Sequence, residues 1–407
     1  MMSRILVTTA RMWYSLNTIR ILAKHGHQVY AVDSTRNSGG LYSKYVKERF
    51  LSPPLTSEPR EYIDFIVDIV TSKNIDAILP SYEEVFVLSY YKDLLPKQLK
   101  ILISPYPVLA MLHDKYHMTR YAERLGIPVP KTLLLKDFRP EEWQFPVILK
   151  PRRGRGAAGV KRIKNLSQMK AIMGTLNSEE YLVQQELPRV QYCTIGVAYE
   201  GELKGNTIYK NLREFPESGG TGTSRLSVED EKITDYIKRI VKDLNYTGFF
   251  AADFLYDKNT DTYNIVDVNP RLNPGIYAGY VSGVDLPSMY IDLLLNPESV
   301  RTAFSRNGTG SYTLFLEIGW FFSTLFKGKF RRLFSIFKKG PKLKEDVWDW
   351  RDIKPFFVVF WIMLLSVFAG PFYGGDQEFV VEGAKFDDKL IEKPEELIEL
   401  EKENIAV

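Results

Sequence analysis

The chain has 407 residues, with 54 Lys+Arg against 50 Asp+Glu and a formal charge of +4. At ~100–200 residues per domain this is two to three domains, enough to bury a core without disulfide or metal staples. So small a charge excess does not mark a nucleic-acid binder, and a single cysteine, Cys193, excludes an intrachain disulfide framework and a Cys-rich metal cluster.

The elements begin with a strand at Ser3–Ala10, too short and polar-flanked for a signal-peptide core. This predicts a mature, cytoplasmic start. A helix over Ser15–His25, a strand over His27–Asp33, a helix over Arg60–Lys73, a strand over Ile75–Pro80 and a short strand at Ile101–Ser104 follow. Strands separated by helices predict βαβ units and a parallel sheet, a Rossmann-like first domain over residues 1–105. Asp33 ends the second strand as a ribose-binding acid would, but the first βα turn, Thr8–Ser15, has no glycine. A pyrophosphate needs close backbone approach there, so the dinucleotide-binding reading fails.

Asp114-Lys115 opens a helix that ends at Gly126, and Ile127-Pro128-Val129-Pro130 forms a rigid exit. A strand into Lys150 leads to Pro151 and the loop Arg152-Arg153-Gly154-Arg155-Gly156-Ala157-Ala158-Gly159. Its small residues leave backbone N–H groups accessible to triphosphate oxygens, and its arginines add charge. No Gly-Lys-Ser/Thr closes the loop, so it is no Walker motif; a flexible, solvated hairpin turn is the bland alternative. Strands follow at Tyr181–Gln185, Gly248–Tyr256 and Tyr263–Val268.

If the last of these continues one residue further, Asp267 and Asn269 share one strand face, a hard-oxygen pair suited to Mg²⁺, with Arg271 two residues further on. An antiparallel hairpin turning at Asp257–Asp261 would set Asp253 opposite Asp267. Two acids facing one another on buried strands are costly unless a cation lies between them.

Lys115, Lys150 with its glycine-rich loop, Val183-Gln184-Gln185-Glu186-Leu187-Pro188, Asp253, and Asp267-Val268-Asn269-Pro270-Arg271 occur in one order that resembles the ATP-grasp superfamily. The resemblance covers roughly residues 3–300 and is greatest to its carboxylate–amine ligase branch, which includes biotin carboxylase and carbamoyl phosphate synthetase. It implies a mixed α/β and α+β chain. A Rossmann-like pre-grasp domain would precede a two-subdomain ATP-grasp domain over 106–300, with a lid subdomain about 106–182 and a hinge about 183–191.

ATP and Mg²⁺ (or Mn²⁺) are the implied cofactors. Lys115, Lys150, Arg153, Gly154, Arg155, Gly156 and Gly159 would meet phosphates, and Gln184, Gln185, Glu186, Leu187 and Gln191 adenine and ribose. Asp253, Asp267 and Asn269 would hold the metal, with Arg271 and Lys150 catalytic. The chain departs from the family in its Gln184-Gln185 hinge, in a ribose-contacting acid that is either replaced by Gln191 or displaced, and in Asp where Glu is more usual at two metal positions. The implied reaction activates a carboxylate as an acyl phosphate and joins it to an amine. A phosphotransferase without amide formation and a non-catalytic nucleotide-binding scaffold are the alternatives.

On the substrate side, Arg213–Arg225 reads as a loop closing on an anion, with Arg213, Thr221, Thr223, Arg225 and Arg271 as contacts; a surface turn is the bland alternative. Glu83 or Glu84, after a strand end, could bind an amine or cap the next helix. Residues 301–407 form a separate C-terminal extension. Lys327–Lys344 holds eight basic residues and no acid, with Phe330, Leu333, Phe334 and Phe337 on one helical stripe. The following Phe356–Ala369 is apolar but too short to span a bilayer. Together they predict a peripheral or monotopic attachment to the inner membrane face through residues 320–373, with a buried core helix as the alternative. Eleven acids and four lysines from Asp376 onward read as a solvated arm. The remaining expected partners are small-molecule carboxylate and amine substrates, no nucleic acid, and a second copy in a possible homodimer.

Overall fold

The computed structural model describes residues 2–154, 159–188, 190–216, 220–333 and 341–362. The N-terminal unit is built from β1 (Arg4–Val7), α1 (Trp13–Lys24), β2 (Gln28–Asp33), β3 (Val46–Leu51), α2 (Pro59–Lys73), β4 (Ala77–Leu79) and α3 (Glu84–Tyr90). Its strands pair in the order β3-β2-β1-β4, all parallel. The continuous apolar runs of β1 and β4 suit a sheet covered on both faces. The segment Ile101–Ser104 forms no strand; Ala77 makes a lone bridge to Lys100.

The Asp33 carboxylate is taken up internally. It accepts from the Arg11 backbone N–H at 2.6 Å and from Arg11 Nε at 2.7 Å, both groups being buried. The acid that could have read a ribose instead fastens the first βα turn.

After α4 (Tyr106–His113) and α5 (Lys115–Arg124) comes a small lid: β5 (Thr132–Leu134), β6 (Val147–Pro151), β7 (Lys161–Ile163), α6 (Leu166–Met173) and β8 (Tyr181–Gln185). Its sheet order is β5-β8-β6-β7. Val147, Leu149 and Val183 face a core shared with Trp143 and Met169, so the strand period of two turns Lys150 and Gln184 to the opposite face.

The central unit holds β9 (Gln191–Tyr199), β10 (Glu202–Phe215), β11 (Thr221–Val228), α7 (Glu231–Asp243), β12 (Gly248–Asp257), β13 (Thr262–Asn269), α8 (Ile276–Val281) and α9 (Leu286–Leu295). It continues through β14 (Ala303–Phe304), β15 (Thr309–Tyr312), α10 (Leu314–Phe326), α11 (Phe330–Leu333) and β16 (Lys342–Glu345). The sheet runs β13-β12-β9-β10-β11-β15-β16, with β14 against β10. Helix α7 shows why the layer holds: Asp230 caps it by accepting from Ile233 N at 3.0 Å, and Ile233, Ile237, Ile240 and Val241 recur on one buried face. Each such buried side chain is worth roughly 1.5–3 kcal/mol.

Three expectations are corrected here. The Arg213–Arg225 stretch is mostly strand, since β10 runs to Phe215 and β11 starts at Thr221, with Asn211 paired to Arg225. Its threonines and small residues are read as a turn in sequence but fit a pleated surface clamped between β10 and β15. Gly310 permits that clamp, because a Cβ there would lie 1.9 Å from the Arg225 carbonyl oxygen.

The break at residue 300 is likewise absent, as β14, β15 and β16 extend the same sheet. Nor is Lys327–Lys344 one helix: among the described residues α11 covers Phe330–Leu333, and Lys342–Glu345 pairs with β15 as a strand. Phe334 and Phe337 lie outside the described residues. Of Phe356–Ala369, the part up to Ile362 is described, within a helical stretch 354–362. Val359 and Ile362 are buried there while Phe357, Phe360 and Trp361 are exposed. The rest of that segment and the acidic arm lie outside the described residues.

Two buried ion pairs strap the C-terminal segment down. Arg225 meets Asp346 at 3.1 Å, and Arg20 of α1 meets Asp352 at 2.9 Å and donates to the Val347 carbonyl at 2.7 Å. Removing one partner of a buried pair strands a charge, at a cost of about 3–5 kcal/mol, whereas replacing both by apolar residues is often neutral. Asp346→Ala should therefore lower stability in urea unfolding by about 3–5 kcal/mol, and adding Arg225→Met should recover most of the loss. No recovery in the double variant would mean that the polar contacts of this pair, not its charge, hold the segment.

Candidate active site

The carboxylates sit where the hairpin geometry requires. Asp253 on β12 pairs directly with Asp267 on β13, and Cys193 on β9 and Tyr209 on β10 continue the same cross-strand row. Asp253 has its carboxyl pushed up to about 6, chiefly by burial and then by the Asp267 charge. Asn269, two residues along the same strand face, donates from Nδ2 to Asp267 Oδ2 at 3.1 Å.

Two lysines close over this row. Asp114 caps α5, accepting from Tyr116 N at 2.9 Å and His117 N at 3.2 Å, which places Lys115 at the first helical position. Lys115 Nζ lies 3.4 Å from Asp267 Oδ1 and donates to the Gly154 carbonyl at 2.8 Å. Lys150, at the end of β6, donates to the Val266 carbonyl at 3.3 Å. Burial, then the Lys115 charge, push its ammonium down to about 7, with Asp267 opposing.

Arg271 completes the cluster. Its guanidinium lies 4.4 Å from the Tyr82 ring centroid, and Nη2 donates to Asn269 Oδ1 at 3.0 Å. Its buried Nε has no hydrogen-bond partner among the described residues, a donor suited to an incoming anion. The donor set is thus two carboxylates, an amide, two lysines and an arginine. Among the described residues no three His, Cys, Asp or Glu side chains converge as a preformed metal cage. A Mg²⁺ ion commonly takes one or two carboxylates and completes its shell with water and phosphate, so Asp253, Asp267 and Asn269 fit such an ion.

Other expected residues fall elsewhere. Gln184 shares the cleft face with Lys150, but its Nε2 donates to Thr132 Oγ1 at 2.9 Å. Gln185 is exposed at the strand end, Leu187 lies in the irregular segment that follows, and Glu186 is paired with Arg162 at 2.6 Å. Gln191 donates from Nε2 toward the Cys193 sulfur at 3.5 Å. Arg153 pairs with Asp114 at 3.3 Å, as Arg152 does at 2.8 Å, so the first loop arginines anchor the lid to α5. Gly154 and Gly159 bracket the loop; Arg155 and Gly156 lie outside the described residues.

Arg213 pairs with Glu317 of α10 at 2.7 Å, and the Thr223 hydroxyl donates to the same carboxylate. Thr221 begins β11 opposite Phe215. Arg225, 1% exposed, is engaged by Asp346, Thr313 and the Gly222 carbonyl. Among the described residues neither Arg213 nor Arg225 forms an ion pair with Asp253 or Asp267. Of the two glutamates after β4, Glu84 is a fastener, accepting from Thr8 Oγ1 and Thr9 Oγ1 at 2.5 Å and from Ser81 N at 2.7 Å. Glu83 is fully buried, and its charge acts on Arg271.

Sequence reasoning gave Asp114 only as a helix start and missed Tyr209, Asn211 and Asn273. Asn273 donates to the Tyr209 hydroxyl at 2.9 Å, and Asn211 Nδ2 points to the Cys193 sulfur at 3.8 Å. Alternation along β9 and β10 was the available signal for the row, and the Asp-Lys step at a helix start was the signal for Asp114.

Residues 112–275 match the family described as the ATP-grasp domain. This stretch is an ATP-grasp domain. Among solved structures, the biotin carboxylase domain of Hydrogenobacter thermophilus 2-oxoglutarate carboxylase, in complex with MgADP, ADP and bicarbonate, is similar at a TM-score of 0.60 and 16% identity. That likeness covers 76% of this chain and 73% of that one, and shows a shared fold.

Urea amidolyase of Saccharomyces cerevisiae is 22% identical over 327 residues, 72% of this chain but 17% of its own length. D-aspartate ligase of Enterococcus faecium is 22% identical over 261 residues, 57% of this chain and 62% of its own length. The chain thus spans less than two thirds of these relatives. The matched stretch of the ATP-grasp domain runs from α4 through the lid and the Asp253–Asp267 hairpin to Gly275.

The facing acids of this domain make a pH signature. Asp253 is raised in the folded state from 3.8 to about 6, so between those values the native protein holds a proton that the unfolded chain lacks. Metal-free stability should therefore fall as pH rises from about 4 to about 6, by on the order of 1–3 kcal/mol. Asp253→Asn should abolish that fall, and Mg²⁺ should offset it in the parent only. Identical pH profiles of parent and Asp253→Asn in urea unfolding would remove the facing-carboxylate assignment.

Proposed function

We propose that the chain is an ATP- and Mg²⁺-dependent ligase that activates a carboxylate as an acyl phosphate and joins it to an amine. The observation that carries this reading is the Asp253–Asp267 pair with Asn269, enclosed by Lys115, Lys150 and Arg271. Such a cluster balances a cation against a polyphosphate and has little use without them. It is supported by the ATP-grasp match, by the MgADP-bound biotin carboxylase domain of the same fold, and by the D-aspartate ligase relative.

Asp253, Asp267 and Asn269 would hold Mg²⁺, whose chemistry is to neutralise phosphate charge and orient the transferred group. Lys115 and Lys150 would face the phosphate oxygens, and the drop of Lys150 to about 7 in the ligand-free site reverses once an anion binds beside it. Arg271, held against Tyr82, would turn its unpartnered Nε toward the acyl group or the γ-phosphate. A carboxylate oxygen attacks the γ-phosphorus and ADP leaves; the amine nitrogen then attacks the acyl carbon, loses its proton, and phosphate leaves.

The finer parts of the reading are work at the cytoplasmic membrane face, supported by the aromatic and basic C-terminal helices, and pairing of two copies, supported by the dimer of the biotin carboxylase domain. Among the described residues no helix is long and apolar enough to cross a membrane.

Incubation with ATP, Mg²⁺ and pools of carboxylates and amines should yield ADP, phosphate and an amide, identified by mass spectrometry. A phosphorylated product formed without an amine would establish the phosphotransferase alternative instead. Asp267→Ala should lower turnover about a hundredfold or more while leaving the fold intact, and Lys150→Ala should weaken ATP binding about tenfold. Full turnover by folded Asp267→Ala would overturn the metal assignment, and unchanged nucleotide affinity in Lys150→Ala would remove that lysine from the phosphate site.

A further inference from the structure

Two neighbouring helices near the C-terminal end of the described chain are apolar on both sides. Helix α10 turns Phe315, Leu316 and Trp320 inward, yet Ile318, Phe321, Phe322 and Phe326 form an outward stripe at i, i+3, i+4 and i+8. The stretch 354–362 repeats this: Val359 and Ile362 are buried, while Phe357, Phe360 and Trp361 point outward at i, i+3 and i+4.

The two lie side by side, since the Phe315 ring is 4.8 Å from that of Phe356 and 5.8 Å from that of Phe360. Phe326 is 83% exposed. A helix apolar all round belongs in a core or in lipid, and this pair has a core on one side only.

The charge beside the patch narrows what covers it. From Ile318 to Leu333 there is no acid, and Lys327, Lys329, Arg331 and Arg332 are all exposed at the end of α10 and on α11. A second copy docked face to face would set this exposed cationic cluster near its own image, whereas a layer of anionic headgroups is complementary to it. Aromatic side chains flanked by Lys and Arg are the pattern of helices lying in the bilayer interface.

We propose that α10, α11 and residues 354–362 form one docking face for an anionic lipid surface, the phenylalanines entering the headgroup region and the basic cluster resting on it. This rests on the membrane-face part of the functional reading and goes beyond it in naming the surface, the lipid charge and a shallow, non-spanning mode. Glu317, on the inward side of α10, holds Arg213 and Thr223, so docking leaves β10 and β11 directly behind the lipid-facing helix.

The test is flotation of the full chain with vesicles of phosphatidylcholine alone or with 30% phosphatidylglycerol. Flotation with the anionic vesicles is expected to exceed that with neutral ones at least tenfold and to drop at least tenfold in Phe322→Ser/Phe326→Ser and in Arg331→Glu/Arg332→Glu. These positions are exposed, so the variants should fold with the parent's circular dichroism and ATP affinity. Flotation that is equal in parent and variants would leave membrane attachment standing but assign it elsewhere, overturning this face. Absence of flotation would overturn it too, as would a dimer in light scattering that the phenylalanine variants abolish, which would give the face to a second copy. ATP-dependent product formation is read separately, so failure of the docking face and failure of the ligase reading are distinct results.

Discussion

Two carboxylates that face one another across β12 and β13 are the constraint around which the site is arranged. Left alone, Asp253 and Asp267 repel in a poorly solvated setting, and the fold answers with positive charge from three directions. Lys115 comes from a capped helix start, Lys150 from the end of a lid strand, and Arg271 from the turn after β13. None of these is a neighbour of the others in the chain before folding. The lid, the helix before it and the central sheet are therefore linked electrostatically as well as by packing, and a cation or polyphosphate entering the cleft alters all three links together.

The cationic side is itself held in reserve. Lys150 is driven toward neutrality by burial and by Lys115, which lessens the repulsion that two ammonium groups would otherwise impose on the ligand-free protein. Arg152 and Arg153 are occupied by Asp114, whose carboxyl is penalised by burial yet held below its ordinary range by His117 and these arginines. Charge near the loop root thus has an internal partner that a phosphate would have to compete with.

Much of this was legible in the sequence because it depends on period and order. The period of two put Asp267 and Asn269 on one face, and the turn residues after Asp257 set the register that brings Asp253 opposite Asp267. The turn between Thr8 and Ser15, which has no glycine, is closed by Arg11 bound to Asp33. What misled was chemistry that two environments share. Thr221–Val228 has turn-like composition, but strands on both sides make it β11. Lys342–Glu345 is as basic as the residues before it, yet an open edge at β15 recruits it as a strand. Arg213 and Arg225 carry the charge of substrate ligands, but their partners, Glu317 and Asp346, lie about a hundred residues further on, beyond any local pattern.

The pairing of Arg20 with Asp352 has a consequence for how the protein is made. These residues are separated by 332 positions, and the Arg20 side chain is 5% exposed once they meet. A ribosome delivers the N-terminal unit before the segment at Asp352, at about 5–20 residues per second, so Arg20 waits about 17–66 s for its counter-charge. During that interval the outer side of α1, with Leu16 and Trp13, lacks the cover that Val347 and Phe356 later supply. The N-terminal unit is thus finished only once the later segment arrives, and completion of its surface reports that translation has passed Asp352.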